Sequence, residues 1–182
     1  MAGDETILEV RGLHVSFETN DGTVHAVKGV DLDVKQGETI AIVGESGSGK
    51  SQTMMAMMGL LASNGRASGS AKYRGQELVG LPERKLNRIR GQKITMIFQE
   101  PMTSLDPLYR IGRQIAEPII HHRGLSAKAA RARAIELLEL VGIPDPARRV
   151  DSYPYELSGG QRQRVMIAMA LANDPDILIA DE

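Results

Sequence analysis

Between Gly44 and Ser51 the chain reads GESGSGKS, and this octapeptide narrows the folds open to the sequence more than any other stretch. It matches the pattern G-x-x-x-x-G-K-[ST] and stands where that pattern has physical meaning, after the apolar run ETIAIVG and before a run that is helical and apolar on most sides. Glycines at 44, 47 and 49 let the backbone curl until successive amide N–H groups converge without Cβ atoms in the way. The following helix adds the partial positive charge of its N-terminus. A loop built this way takes phosphate, through Gly44, Glu45, Ser46, Gly47, Ser48, Gly49, Lys50, Ser51 and Gln52. Lys50 suits bridging β- and γ-phosphates, and the Ser51 hydroxyl suits magnesium. ETIAIVG reads as a strand buried on both faces, the kind found in an α/β sheet.

Around that loop the first half reads as strands and turns. ILEVRGLHVSFET and VHAVKGVDLDV alternate roughly, and the NDGT between them supplies a tight reversal, so an antiparallel hairpin is expected. A helix is expected from Gly49 to about Leu61, with further strands in SGSAKYRGQEL and KITMIFQ. From Pro107 to Val150 the composition turns to Ala, Arg, Glu and Leu. There Ala134, Leu137, Leu138 and Val141 recur at helical spacing, Ser126 suits the start of a helix and Gly142 its end. GQRQRVMIAMALA reads as another buried helix and DILIADE as another fully buried strand. That strand would deliver Asp181 and Glu182 to the carboxyl edge of a parallel sheet, Asp181 for magnesium and Glu182 to polarise an attacking water. A solvated loop end is the alternative reading of the same pair.

Charge and composition exclude several classes. The 22 basic and 23 acidic side chains leave a formal charge of −1, so no global field recruits nucleic acid or an anionic membrane, and phosphate binding has to be local. With no cysteine, the segment carries no disulfide, thiolate nucleophile or iron–sulfur site. The opening MAGDETILEV is not a signal peptide, and MMAMMGLLA is too short to span a bilayer, so work at a membrane would go through a partner. The histidines at 14, 25, 121 and 122 follow no ligand pattern. Methionines 54, 55, 57 and 58 read as packing, Arg162 and Arg164 as braces of the helix they lie on or as ordinary exposed arginines, and KAARARA as a basic helix face.

LSGGQ, Leu157 to Gln161, offers a second set of helix-start amides, at Ser158, Gly159 and Gly160. A second anion site makes sense if it closes over the nucleotide of another subunit. With GESGSGKS and ILIADE in this order, the chain resembles the ATP-binding cassette (ABC) transporter ATPases over essentially its whole length. The resemblance implies an α/β fold, a P-loop NTPase parallel-sheet core with an antiparallel β subdomain and an inserted α-helical subdomain. It implies one C-terminally incomplete nucleotide-binding domain over 1–182: a β subdomain and P-loop core in 1–106, the helical subdomain with the signature segment in 107–160, and a return to the core in 161–182.

The resemblance also assigns roles. ATP and Mg2+ are the implied ligands. Gln99 would touch magnesium and the attacking water, Phe17 would stack on adenine, and Ser51, Gln99 and Asp181 would form the metal set. Lys50, Gln99 and Glu182 would be catalytic, and Ser158, Gly159, Gly160 and Gln161 would contact the γ-phosphate held by a second ABC ATPase subunit, identical or different, in a head-to-tail dimer. Transmembrane permease subunits would be the other partners, met by the segment with Pro101, Met102, Leu105 and Pro107. Neither nucleic acid nor the cargo itself would be bound, and the place of work would be the cytoplasmic face of the bacterial inner membrane.

MIFQEPMTSLDP, GLLASNGRASGSAKYRGQEL and YPYELSGGQRQRVMIAMAL resemble the oligopeptide and dipeptide importer branch. Importers of nickel or glutathione, a non-transport ABC ATPase and an inactive truncated remnant are the alternatives. Because the resembled family continues past this glutamate into a further strand, the sequence is expected to be a fragment. The strand ETIAIVG and the one ending in Asp181 would then lack a neighbour, and the isolated chain would be poorly stable and bind nucleotide weakly at best.

Overall fold

The computed structural model describes residues 5–98 and 105–181. The chain divides after Asn87 into two compact units.

In the first unit, β1 (Thr6–Thr19) and β2 (Gly22–Lys35) form the expected hairpin, with Thr19 opposite Gly22 and the reversal at Asn20 and Asp21. β3 (Gly65–Tyr73) and β4 (Gln76–Glu77) complete an antiparallel sheet in the order β2-β1-β3-β4, the last two joined through Arg74 and Gly75, both at positive φ as a two-residue reversal requires. Leu8, Val10, Leu13 and Val15 of β1 pack inward with Ala71 and Tyr73 of β3. The alternation skips a residue between Val10 and Leu13 because the strand bulges there. Gly69 stands against the bulge so closely that a Cβ on it would lie 2.2 Å from the Gly12 carbonyl oxygen.

Two expectations for this unit need correction. The helix after the phosphate loop, α1 (Lys50–Met57), stops short of Leu61. Gly59, at φ +61, donates to the Ala56 carbonyl and Leu60 donates to that of Met55, the pair of bonds that closes a helix on a left-handed glycine. Met57 and Met58 are buried, as packing residues should be. The second correction concerns ETIAIVG, which forms no strand, and Ile40, Ile42 and Val43 are exposed. A strand exists only as one side of a ladder, and among the described residues none is paired with this segment. The short helix α2 (Glu83–Leu86) ends the unit.

In the second unit, β5 (Ile94–Ile97) and β6 (Ile177–Ala180) run parallel, Ile94 opposite Ile177 and Ile97 opposite Ala180. Between them come α3 (Ile111–Arg123), α4 (Ala127–Leu140), α5 (Pro146–Arg149), a 3-10 turn (Pro154–Glu156) and α6 (Gly159–Ala170). Ile111, Ile115 and Ile119 form one face of α3, and they share a core with Ala130, Ala134, Leu137 and Leu138 of α4 and Val165 and Ala168 of α6. Ser126 caps α4 by accepting from the Ala129 amide, and Gly142 closes it at φ +72, both as expected. The start of α3 has no capping side chain. Its Ile111 and Gly112 amides donate to the Ser152 and Val150 carbonyls, and a Cβ on Gly112 would lie 2.3 Å from a Val150 methyl. The third correction is to β6, which is not fully buried: Ile177 is, but Leu178 is 42% exposed. Among the described residues β6 has a neighbour on one edge only.

Candidate nucleotide-binding site

The phosphate loop is held from both ends. Gly49, the residue before α1, has φ +93, where an L side chain is strained. It is also seated on β2, since a Cβ there would lie 2.4 Å from the Ala26 carbonyl oxygen and 3.2 Å from a Val27 methyl. Gly47 has φ +79 but faces open space. The Ser48 amide donates to the Glu45 carbonyl at 3.1 Å, making the curl, and the Thr53 hydroxyl ties the first turn of α1 to the Gly49 carbonyl at 2.9 Å. Lys50 folds back over the loop, its Nζ donating to the carbonyls of Gly44 at 2.8 Å and Glu45 at 3.0 Å. Residues 44–48 are exposed, and Ser51 and Gln52 are half-buried in the first turn of α1. Neither Thr53 nor the seat on Ala26 was anticipated from sequence, because both depend on contacts the octapeptide does not encode.

Phe17 lies on β1 opposite Val24 of β2 and Gly65 of β3, half-buried. Gly65 leaves the ring its space, for a Cβ there would lie 2.8 Å from Phe17 Cε1.

In the second unit the segment LSGGQ begins α6 as a closed cap. Ser158 Oγ accepts from the Gln161 amide at 3.3 Å, and Gln161 Oε1 accepts from the Ser158 amide at 3.0 Å. The side-chain oxygen of Gln161 is turned back onto the cap. The hydroxyl of Ser158 keeps its proton to donate outward, and the ideal Cβ positions of Gly159 and Gly160 meet nothing within 4 Å, so the approach to this helix start is open. Arg164 braces α6 as expected, donating to the Gly142 carbonyl at 2.9 Å at the end of α4. Ser158→Ala is expected to cost about 1 kcal/mol of stability through the lost cap, read as a shift of the urea midpoint with unchanged m.

Asp181 follows β6, and its amide donates to the Ile97 carbonyl of β5 at 3.0 Å. Gln99 and Glu182, with Pro101 and Met102, lie outside the described residues. The loop at Gly44–Ser51 belongs to the first unit, and the LSGGQ segment and Asp181 to the second.

The ABC transporter family model matches residues 27–182. This chain belongs to the ABC transporter family. It is 53% identical over 176 residues to the oligopeptide transport ATP-binding protein OppD of Salmonella typhimurium, covering 97% of this chain and 52% of that protein. It is 52% identical over 181 residues to the dipeptide transport ATP-binding protein DppD of Lactococcus lactis, covering 98% and 52%. This ABC chain therefore spans about half the length of the curated relatives it matches. Among solved structures it is similar to a dimeric ATP-binding cassette in a post-hydrolysis state bound to ADP and Pi, with 32% identity, a TM-score of 0.84, and 95% of this chain and 72% of that one covered. Its fold is the α/β fold of those ABC cassettes, with a P-loop, an antiparallel sheet and a helical layer.

Proposed function

We propose that this chain is the ATP-binding and ATP-hydrolysing part of an importer that uses ATP to take up peptides. The observation that carries the reading is the phosphate loop itself: a left-handed Gly49 seated on backbone, exposed residues from Gly44 to Ser48, and Lys50 already inside the curl. The naming of the relatives as oligopeptide and dipeptide transport proteins supports the cargo class.

In this reading the amides of 44–49 hold the phosphates, and Lys50 leaves the two loop carbonyls for the β- and γ-phosphate oxygens. Phe17 stacks on adenine. Among the described residues no three His, Cys, Asp or Glu side chains group to hold a metal. Mg2+ keeps water and takes few protein oxygens, and the Ser51 hydroxyl and Asp181 carboxylate are donors of the right hardness, with Gln99 as a third. When bound, the ion neutralises charge on the phosphates. Glu182 accepts a proton from the attacking water, and Ser158, Gly159, Gly160 and Gln161 present N–H and O–H groups to the γ-phosphate of a second ABC cassette.

The proposed subdomains are 1–106, 107–160 and 161–182. No described helix is long and apolar enough to cross a membrane; we place the chain peripherally, on permease subunits at the cytoplasmic face. The deciding experiment is ATP turnover with and without Mg2+ by this chain and by one extended past Glu182, with Glu182→Gln in the extended form. Turnover by the extended chain that Glu182→Gln abolishes supports the assignment. Turnover by neither overturns it.

A further inference from the structure

β6 is entered through Asn173 and Asp174, and these two side chains are tied to three other parts of their unit. Asn173 is buried, and its Nδ2 donates to the Gly91 carbonyl ahead of β5 at 2.7 Å and, more weakly, to the Pro118 carbonyl inside α3 at 3.4 Å. Asp174 divides its carboxylate between two helices. Oδ2 accepts from Arg123 Nη2 at the end of α3, and Oδ1 accepts from Arg133 Nη2 of α4 at 2.8 Å. Arg133 is steadied in turn by Glu136 at 3.0 Å. Two residues on, the amides of Asp176 and Ile177 both donate to the Lys93 carbonyl, at 2.9 and 3.1 Å.

Two features of this joint are unfavourable locally. Asp174 holds φ +51, and Asn173 Oδ1 is buried with no hydrogen-bond partner. Such features persist where the surroundings over-determine them, and they gather at places with a positional task.

We propose that Asn173 and Asp174 are positioning residues for the acidic edge: they fix where β6 begins against α3, α4 and β5, and through that short strand the place of the Asp181 carboxylate. The inference rests on the reading of Asp181 given above. A four-residue strand paired along its whole length to β5 has little slack, so a shift of α3 or α4 reaches Asp174 through Arg123 or Arg133 and appears at Asp181.

Asp174→Asn in the full-length protein keeps the shape and removes the charge, and Arg123→Gln removes one of the two helix ties at an accessible position. For Asp174→Asn the amides of residues 176–181 should exchange with solvent about tenfold faster while those of β1 and β2 are unchanged. The kcat for ATP should fall about tenfold with KM within about twofold, because the nucleotide contacts are made elsewhere. Arg123→Gln should move both readouts the same way by less, and it carries the test if Asp174→Asn does not fold. Unchanged exchange at 176–181, or a loss of kcat that only tracks the unfolded fraction, overturns the proposal. A wild-type protein that does not hydrolyse ATP sinks the functional reading, while the exchange comparison still decides whether this joint holds β6.

Discussion

Lys50→Ala is expected to lower ATP turnover by about 10²–10³-fold or more, while leaving the unfolding free energy within about 0.5 kcal/mol of wild type. The two halves of this expectation come from the same geometry. The Lys50 ammonium is bonded to the Gly44 and Glu45 carbonyls, and those carbonyls are on an exposed loop where water replaces the lost donor at little cost. Nothing replaces it at the phosphates, where charge builds up as the γ-phosphoryl leaves and a preorganised cation acts most strongly. Urea unfolding and steady-state turnover on one preparation separate the two effects. Equal losses in both would mean that Lys50 is a structural lysine.

Gly49→Ala is expected to do the reverse, removing fold and nucleotide binding together. The new methyl would be 2.4 Å from the Ala26 carbonyl oxygen, which is backbone and cannot swing aside, at a φ of +93. Strain of about 1–2 kcal/mol from the dihedral and about 1–3 kcal/mol from the overlap add to roughly 2–5 kcal/mol of lost stability. The loop would escape only by lifting off β2, which scatters the amides that converge on phosphate. Gly47→Ala is the control: it has a similar φ of +79 but open space around it, so only the dihedral strain applies. Urea midpoints and titration with a fluorescent ATP analogue would rank the two. A Gly49 variant no worse than the Gly47 variant would mean that the seat on Ala26 does not matter.

What could be read from the chain beforehand was whatever neighbouring residues decide among themselves. The NDGT reversal, the Ser126 cap, the Gly142 stop and the loop-helix order at GESGSGKS all involve residues within a few positions of each other. The end of α1 was local too, and it was missed because the apolar run MMGLLA outweighed Gly59, whose left-handed turn closes the helix. ETIAIVG and Leu178 failed for another reason. Their composition says buried strand, but burial needs a neighbour, and a neighbour is a property of distant sequence. Arg123 and Arg133 meet Asp174 across 51 and 41 residues, and no spacing rule in one sequence connects them. Of the proposed nucleotide contacts, the loop and the LSGGQ cap were legible as motifs, whereas the inward turn of Gln161 was not.

The cap at Ser158 and Gln161 has a consequence for how two cassettes would meet. Its reciprocal hydrogen bonds order the start of α6 before any phosphate arrives, so the entropy of freezing that segment is lost during folding and not again on association. In the proposed dimer an encounter between cassettes would then be a meeting of two pre-ordered helix starts, and its lifetime would depend on whether a γ-phosphate lies between them. In the proposed reading, hydrolysis followed by phosphate release would remove the anion that the open amides face, so the partners would separate without either helix end having to unfold.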